Sequence, residues 1–144
     1  MFCYDIGMTE KNSILNNLND LRLPKGGYIV MGSGILDALN IRRASDIDLV
    51  VNDEIYNHLQ QLGWGERMAS NGSIGIEKGV FQAYDHWNDE GVVKTLGELI
   101  VDAEWINGVP YNSLAKLSLY KMRRGLHKDL VDLELINQYL APKK

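Results

Sequence analysis

The 144-residue sequence predicts an α+β fold: a small mixed β-sheet flanked by helices, with a helical C-terminal part. The apolar runs Tyr28 to Met31 and Asp46 to Val51 are joined by a Gly-Ser-Gly turn and a stretch that holds only one short helix. Further along, two pairs of short runs sit across glycine-containing turns, which is the pattern of hairpins. From Ser113 to Leu140 the apolar spacing becomes helical. The expected organisation is a single domain over 1–144, with a core of about 28–111 and a helical part of about 112–140.

Composition narrows the classes. Hydrophobic residues at 45% and charged residues at 24% are ordinary for a globular chain. A net charge of −4 argues against a dedicated polyanion binder, though not against a local basic patch. The single cysteine, Cys3, excludes an internal disulfide and a cysteine zinc cluster, and the histidines (His58, His86, His127) are scattered. This usage fits a reducing, cytoplasmic setting. The start of the sequence, MFCYDIGMTEKN, lacks the basic flank and apolar core of a signal peptide, and no apolar run reaches membrane-spanning length.

In chain order, Thr9 is expected to cap a first helix whose stripe is Ile14, Leu15, Leu18 and Leu21; Pro24 and Gly26-Gly27 end it. Tyr28 to Met31 is a buried strand, and Ile35 to Leu39 a short helix before Arg42-Arg43. The second strand follows, and Asp53 is expected to cap a helix through Leu62, stopped by Gly63. Ser73 to Glu77 and Val80 to Trp87, across Lys78-Gly79, read as a hairpin. Thr95 and Glu98 have capping-box spacing. Asn107-Gly108 joins a second hairpin, in which Pro110 places its strand at a sheet edge. Gly125 divides the C-terminal helical run.

The chemistry begins with two carboxylates. Side chains alternate along a strand, so Asp46 and Asp48 share a face, opposite Ile47, Leu49 and Val51. Like charges at neighbouring positions call for a cation, and Mg²⁺ prefers a few carboxylates completed by water and phosphate oxygens. The plainer alternative is two solvated acids at a strand start. Gly32-Ser33-Gly34 stands between strand and helix, where backbone N–H groups and the Ser33 hydroxyl suit a phosphate. The alternative there is a simple turn and cap. A dinucleotide fingerprint would need glycine where Asp37 stands, and a P-loop would need Gly-Lys-Ser/Thr after the turn.

A strand ending in Gly32-Ser33, a short helix, and then Asp46-Ile47-Asp48 resembles the nucleotidyltransferase superfamily with a polymerase-beta-like fold. The run KLSLYKMRRGLHKDLVD, from Lys116 to Asp132, is similar to that of small bacterial nucleotidyltransferase-like proteins, among them relatives of abortive-infection toxins. The resemblance covers Tyr28 to Ile136. It implies that Asp46 and Asp48 hold Mg²⁺, that Gly32 and Ser33 hold the phosphates of a nucleoside triphosphate, and that a nucleotidyl group, AMP in the first instance, passes to an acceptor. Toxin–antitoxin pairing is a further implication.

On one continuous helix Lys121, Arg124 and Lys128 share a face opposite Leu119, Met122, Leu126, Leu130 and Leu133, where cations would steady a triphosphate. Equally, Lys128 and Asp132 form an i,i+4 surface pair worth a few tenths of a kcal/mol. The sequence departs from the family at one point. A third carboxylate, general base or second-metal ligand, is expected at position 82, which is Gln82. Asp85 has the opposite parity and faces away unless the strand end re-aims it. Three outcomes stay open: Asp85 substitutes, two acids suffice, or the chain binds nucleotide without transfer.

Two function classes follow. One is a Mg²⁺-dependent nucleotidyltransferase acting on a small-molecule, protein or RNA-end acceptor. The other is a catalytically degenerate module of the same fold that binds nucleotide or a protein partner without transfer. Trp64, Trp87 and Trp105 are then either interface aromatics or core residues.

Overall fold

The computed structural model describes residues 13–142. Thr9 lies outside them. The first helix runs Ile14–Leu21 and is 3-10 in geometry; Ser13 caps it by accepting the Leu15 N–H at 3.2 Å. The elements that follow are β1 (Tyr28–Met31), α1 (Gly34–Ala38), β2 (Ile47–Val51), α2 (Asp53–Gln61), β3 (Gly65–Met68), β4 (Ile74–Lys78) and β5 (Phe81–Tyr84). A short hairpin, β6 (Trp87–Asp89) with β7 (Val92–Lys94), leads into α3 (Leu96–Ile100). Then come β8 (Glu104–Ile106), β9 (Val109–Tyr111), α4 (Leu114–Arg124) and α5 (His127–Leu140).

Seven strands form one mixed sheet in the order β3-β4-β5-β2-β1-β9-β8, and β6-β7 stands apart. The expected α+β class, with a mixed sheet and C-terminal helices, is therefore the observed one. β1 and β2 are antiparallel at its centre, while β2–β5 and β1–β9 are parallel. The central strands are apolar on both faces because helices cover both. Val30, Ile47, Leu49, Val51 and Ala83 face the larger core with α1, α2 and Leu117 of α4. Ile29, Met31 and Val50 face α3 through Leu96 and Leu99. Asp48 and Gln82 lie on this second face, beyond the reach of α3.

Several boundaries differ from expectation. Asn52, not Asp53, caps α2, its side chain accepting the Ile55 N–H at 2.8 Å. The run from Val80 to Trp87 is broken at Asp85-His86, with Trp87 starting a separate hairpin. β3 has no apolar alternation, since an exposed edge strand has no buried face to impose one. Pro110 is not at an edge. β9 is internal, between β1 and β8. Its pairing with β1 is confined to Val30 opposite Tyr111, and the Asn112 N–H beyond supplies the bond to Val30 at 2.8 Å, so the N–H that Pro110 lacks is not required.

Other signals match. Asn107 and Gly108 both have positive φ (51° and 79°), as a type I′ hairpin turn demands. Glu98 accepts the Thr95 N–H at 3.1 Å. Gly125, at φ 65°, ends α4 in the left-handed region.

The largest correction concerns the C-terminal helices. Leu119 and Met122 are 52% and 63% exposed, whereas Lys121 is 3% exposed. The inward stripe of α4 is Leu114, Leu117 and Lys121; that of α5 is Asp129, Asp132 and Ile136. Each has helical spacing, but charged residues hold half of the buried positions, and the Gly125 break denies the two helices a common phase. Lys121, Arg124 and Lys128 therefore do not form one solvated face opposite the leucines. Leu126 and Leu130 are exposed too.

Candidate active site

The face of the sheet left open by α3 floors a cleft of about 650 Å³. Register builds that floor. Met31, Asp48, Gln82 and Glu77 are successive partners across β1, β2, β5 and β4, so they form a row on one face. Asp46 precedes the first residue of β2 and is exposed, whereas Asp48 is half-buried. The two share a face by parity, as the alternation of the strand requires.

The turn after β1 meets Asp48 directly. Gly32 has φ 58°, and a Cβ there would stand 3.0 Å from Asp48 Oδ2. Gly34 is confined differently: its Cβ would meet Val30 Cγ1 at 2.3 Å, so this glycine lets α1 start tight against β1. Ser33 Oγ accepts from Arg42 Nη2 at 3.0 Å. That bond uses a lone pair and leaves the hydroxyl proton free to donate into the cleft.

Burial, and next the charge of Asp46, push the Asp48 carboxyl up to about 6; Arg67, Arg124 and Lys128 oppose the shift. Two carboxylates that do not neutralise each other are a hard-oxygen donor set for one divalent cation, with water and phosphate oxygens completing the shell. They fit one ion. A second would need another anionic ligand beyond Asp48, and the row continues there with a neutral amide. Among the described residues no three His, Cys, Asp or Glu side chains cluster as a metal-binding group.

Gln82 has a definite role. In one amide orientation Nε2 lies 3.4 Å from Asp46 Oδ2, but then its oxygen faces only acceptors and its nitrogen only donors. Rotated, the amide donates to Asp48 Oδ1 at 2.7 Å and accepts from Arg67 Nη1 at 2.7 Å. Arg67 Nη1 also donates to Glu77 Oε1 at 3.1 Å. Its Nε is buried without an acceptor among the described residues. Nothing in the sequence singles out Arg67, since its strand carries no periodic signal.

Behind the cleft lies an ion network. Arg42 donates Nε and Nη2 to the two oxygens of Asp132 at 2.6 and 2.7 Å. Lys121 Nζ is 2.9 Å from Asp132 Oδ2 and 3.6 Å from Asp129 Oδ1. Arg124 binds Asp129 through two bonds of 2.8 and 2.6 Å and lies over the Tyr120 ring, 5.1 Å from its centroid. Its bond to Asp129, first of all, raises the Arg124 pKa. Burial alone would raise the Asp132 pKa, but the bonds from Arg42 and Lys121 outweigh it and the net shift is down. Three cations against two carboxylates leave a positive excess beside the cleft. Lys128 borders the cleft and forms no ion pair among the described residues, so the alternative Lys128–Asp132 surface pair is absent.

The sequence-derived residues thus separate. Gly32, Ser33, Asp46, Asp48, Lys121, Arg124 and Lys128 all border the cleft. Asp85 does not. It follows β5 with the parity opposite to Gln82, and its charge acts on Tyr56 of α2. Its carboxylate takes His86 Nδ1 at 2.7 Å, and His86 borders the cleft. Tyr84, Trp87 and Tyr120 make an aromatic wall, with Trp87 6.4 Å from Tyr84 and 6.2 Å from Tyr120. Of the other tryptophans, Trp64 is a core residue and Trp105 is half-exposed.

No protein-family model matches the chain, and no curated protein matches it. Among solved structures it is similar to the solution structure of the antibiotic-resistance factor ANT(2'')-Ia. That match has 18% identity, covers 98% of this chain and 86% of the other, and has a TM-score of 0.49. A likeness of that size carries no weight for the activity. Among the described residues no helix is long and apolar enough to cross a membrane.

Proposed function

We propose that the chain is a nucleotidyltransferase: it transfers a nucleotidyl group, AMP in the first instance, from a nucleoside triphosphate to an acceptor hydroxyl. One observation carries the proposal. Asp48 lies against Gly32 of the strand–helix turn, which puts a pair of carboxylates and a bare-backbone turn at the floor of one cleft with cations around it.

In this reading Asp46 and Asp48 hold one Mg²⁺. When bound, that ion neutralises charge on the phosphates and withdraws electrons from phosphorus. Gly32 permits close approach of a phosphate, and the Ser33 hydroxyl donates to it. Lys128 and the positive excess around Lys121 and Arg124 receive the triphosphate tail, while Arg42 orients Ser33. Trp87 and Tyr120, both bordering the cleft, offer ring faces to a base or to the acceptor. In the step itself an acceptor oxygen bonds to the α-phosphorus, the bond from that phosphorus to the bridging oxygen breaks, and pyrophosphate leaves. The acceptor's proton passes to His86 Nε2. In the neutral ring, a proton on Nδ1 donated to Asp85 leaves Nε2 with its lone pair to receive the acceptor's proton. Asp85 is then a positioning residue.

Gln82 favours a second reading, in which the chain binds nucleotide and acts through a protein partner without transfer. One experiment separates the two. The protein is incubated with Mg²⁺, each labelled nucleoside triphosphate and a panel of hydroxyl acceptors, beside an Asp46→Asn/Asp48→Asn double variant. Label transfer or pyrophosphate release that the variant loses supports transfer. Nucleotide binding without turnover supports the module, and absence of nucleotide binding overturns both.

A further inference from the structure

We propose that Arg67 is the fixed cation of this reaction centre, standing where a second divalent ion would otherwise be required. The site then takes one divalent ion per chain, at Asp46 and Asp48, and the Arg67 guanidinium, which borders the cleft, faces the phosphate charge there. The inference rests on the nucleotidyl-transfer reading and adds to it how the missing carboxylate is replaced.

The cross-strand row supplies the first reason. Beyond Asp48 stands Gln82, whose amide has no charge to hold a cation and occupies Asp48 Oδ1 at 2.7 Å. Beyond Gln82 stands Glu77, the next carboxylate of this row, and it is taken by Arg67 at 3.1 Å. Along this row the anionic ligands a second ion would need are therefore absent or spent. A guanidinium does not lose its proton in a protein, so its charge also repels a divalent ion in the same place.

The second reason is the position of Arg67. It lies on β3 directly across from Gly75, which has no side chain to cover it. A Cβ at Gly75 would meet the Tyr84 ring at 2.5 Å, so the absence of a side chain here lets that ring lie directly over β4. Gln82 and Glu77 hold Nη1 and fix the plane of the fork. Nε points to no acceptor among the described residues although it is buried. Nε is closed off from the cleft, so a bound phosphate meets the Arg67 charge from the side of the fork that borders the cleft.

Native mass spectrometry of the chain with Mn²⁺ and the α,β-methylene analogue of ATP counts the ions on each nucleotide-bound chain. One ion is expected for the natural chain and two for an Arg67→Ala/Gln82→Asp double variant. Arg67→Ala alone is expected to keep one ion and to bind the analogue on the order of 10-fold more weakly, the loss of one charge-assisted bond. Two ions on the natural chain overturn the proposal, as does a folded double variant that still takes one. If the double variant does not fold, the natural chain's count decides by itself. Failure of the natural chain to bind the analogue at all removes the nucleotidyl-transfer reading; two ions with the analogue bound removes only the role of Arg67.

Discussion

Arg42 and Asp132, 90 positions apart in the chain, are joined by two hydrogen bonds of 2.6 and 2.7 Å, and the same guanidinium reaches Ser33 Oγ at 3.0 Å. This pair ties α5 to the turn after β1. The C-terminal helix is thereby part of the cleft's support, and the net downward shift of the Asp132 pKa reflects Arg42 and Lys121 together.

Removing Asp132 leaves both cations facing each other with Lys121 almost wholly buried. Asp132→Ala is expected to cost about 3–5 kcal/mol, the range for a broken buried pair. Urea unfolding of the purified variant measures it; a loss within about 0.5 kcal/mol would contradict the network.

Asp129 makes the pH dependence of stability predictable. Its bond to Arg124, and then the Leu126 N–H, hold its carboxyl down to about 2. A folded-state value below the unfolded one stabilises above the ordinary aspartate value of about 4 and loses that contribution as pH falls towards 2. Asp129→Asn is expected to be less stable above about pH 4 and to show a flatter acid limb, followed by thermal unfolding across that window.

Gly32→Ala combines a left-handed φ of 58° with a Cβ 3.0 Å from Asp48 Oδ2. A stability loss of about 1–2 kcal/mol is expected from the backbone alone. Displacing the carboxylate should weaken Mn²⁺ and nucleotide binding as well. Calorimetric titration of the folded variant reads both, and unchanged affinities would count against a phosphate at this turn.

In the proposed transfer His86 and Asp85 divide a role that parity denies to Asp85 alone. If His86 accepts the proton, His86→Asn lowers kcat about 100-fold or more with KM little changed. Asp85→Asn is expected to shift the pH profile of kcat, since it alters the partner of Nδ1. Profiles that stay superimposable in both variants would remove the pair from the reaction.

The inverted C-terminal helices give the plainest test of packing. Met122→Gln at an exposed position is expected to change stability by no more than about 0.5 kcal/mol, while Leu117→Ala in the core costs about 2–5 kcal/mol. Chemical unfolding of the two variants side by side decides which face is buried.

The sequence by itself determined the class of fold, because apolar runs bounded by turns and the Asn107-Gly108 signal depend on local rules. It also determined that Asp46 and Asp48 share a face, because strand parity needs no partner. It located Gly32-Ser33 beside them, since one short helix leaves the chain little freedom. Tertiary structure decided the rest. β3 lacked a pattern because an edge strand has no buried face, so Arg67 had no local signal. Pro110 was internal because sheet order depends on the crossover, which spacing does not encode. Lys121, Asp129 and Asp132 lay on buried stripes because each could be neutralised only by residues on another element. A helical wheel places charge towards solvent by default, and only the folded chain shows where an opposite charge makes burial affordable.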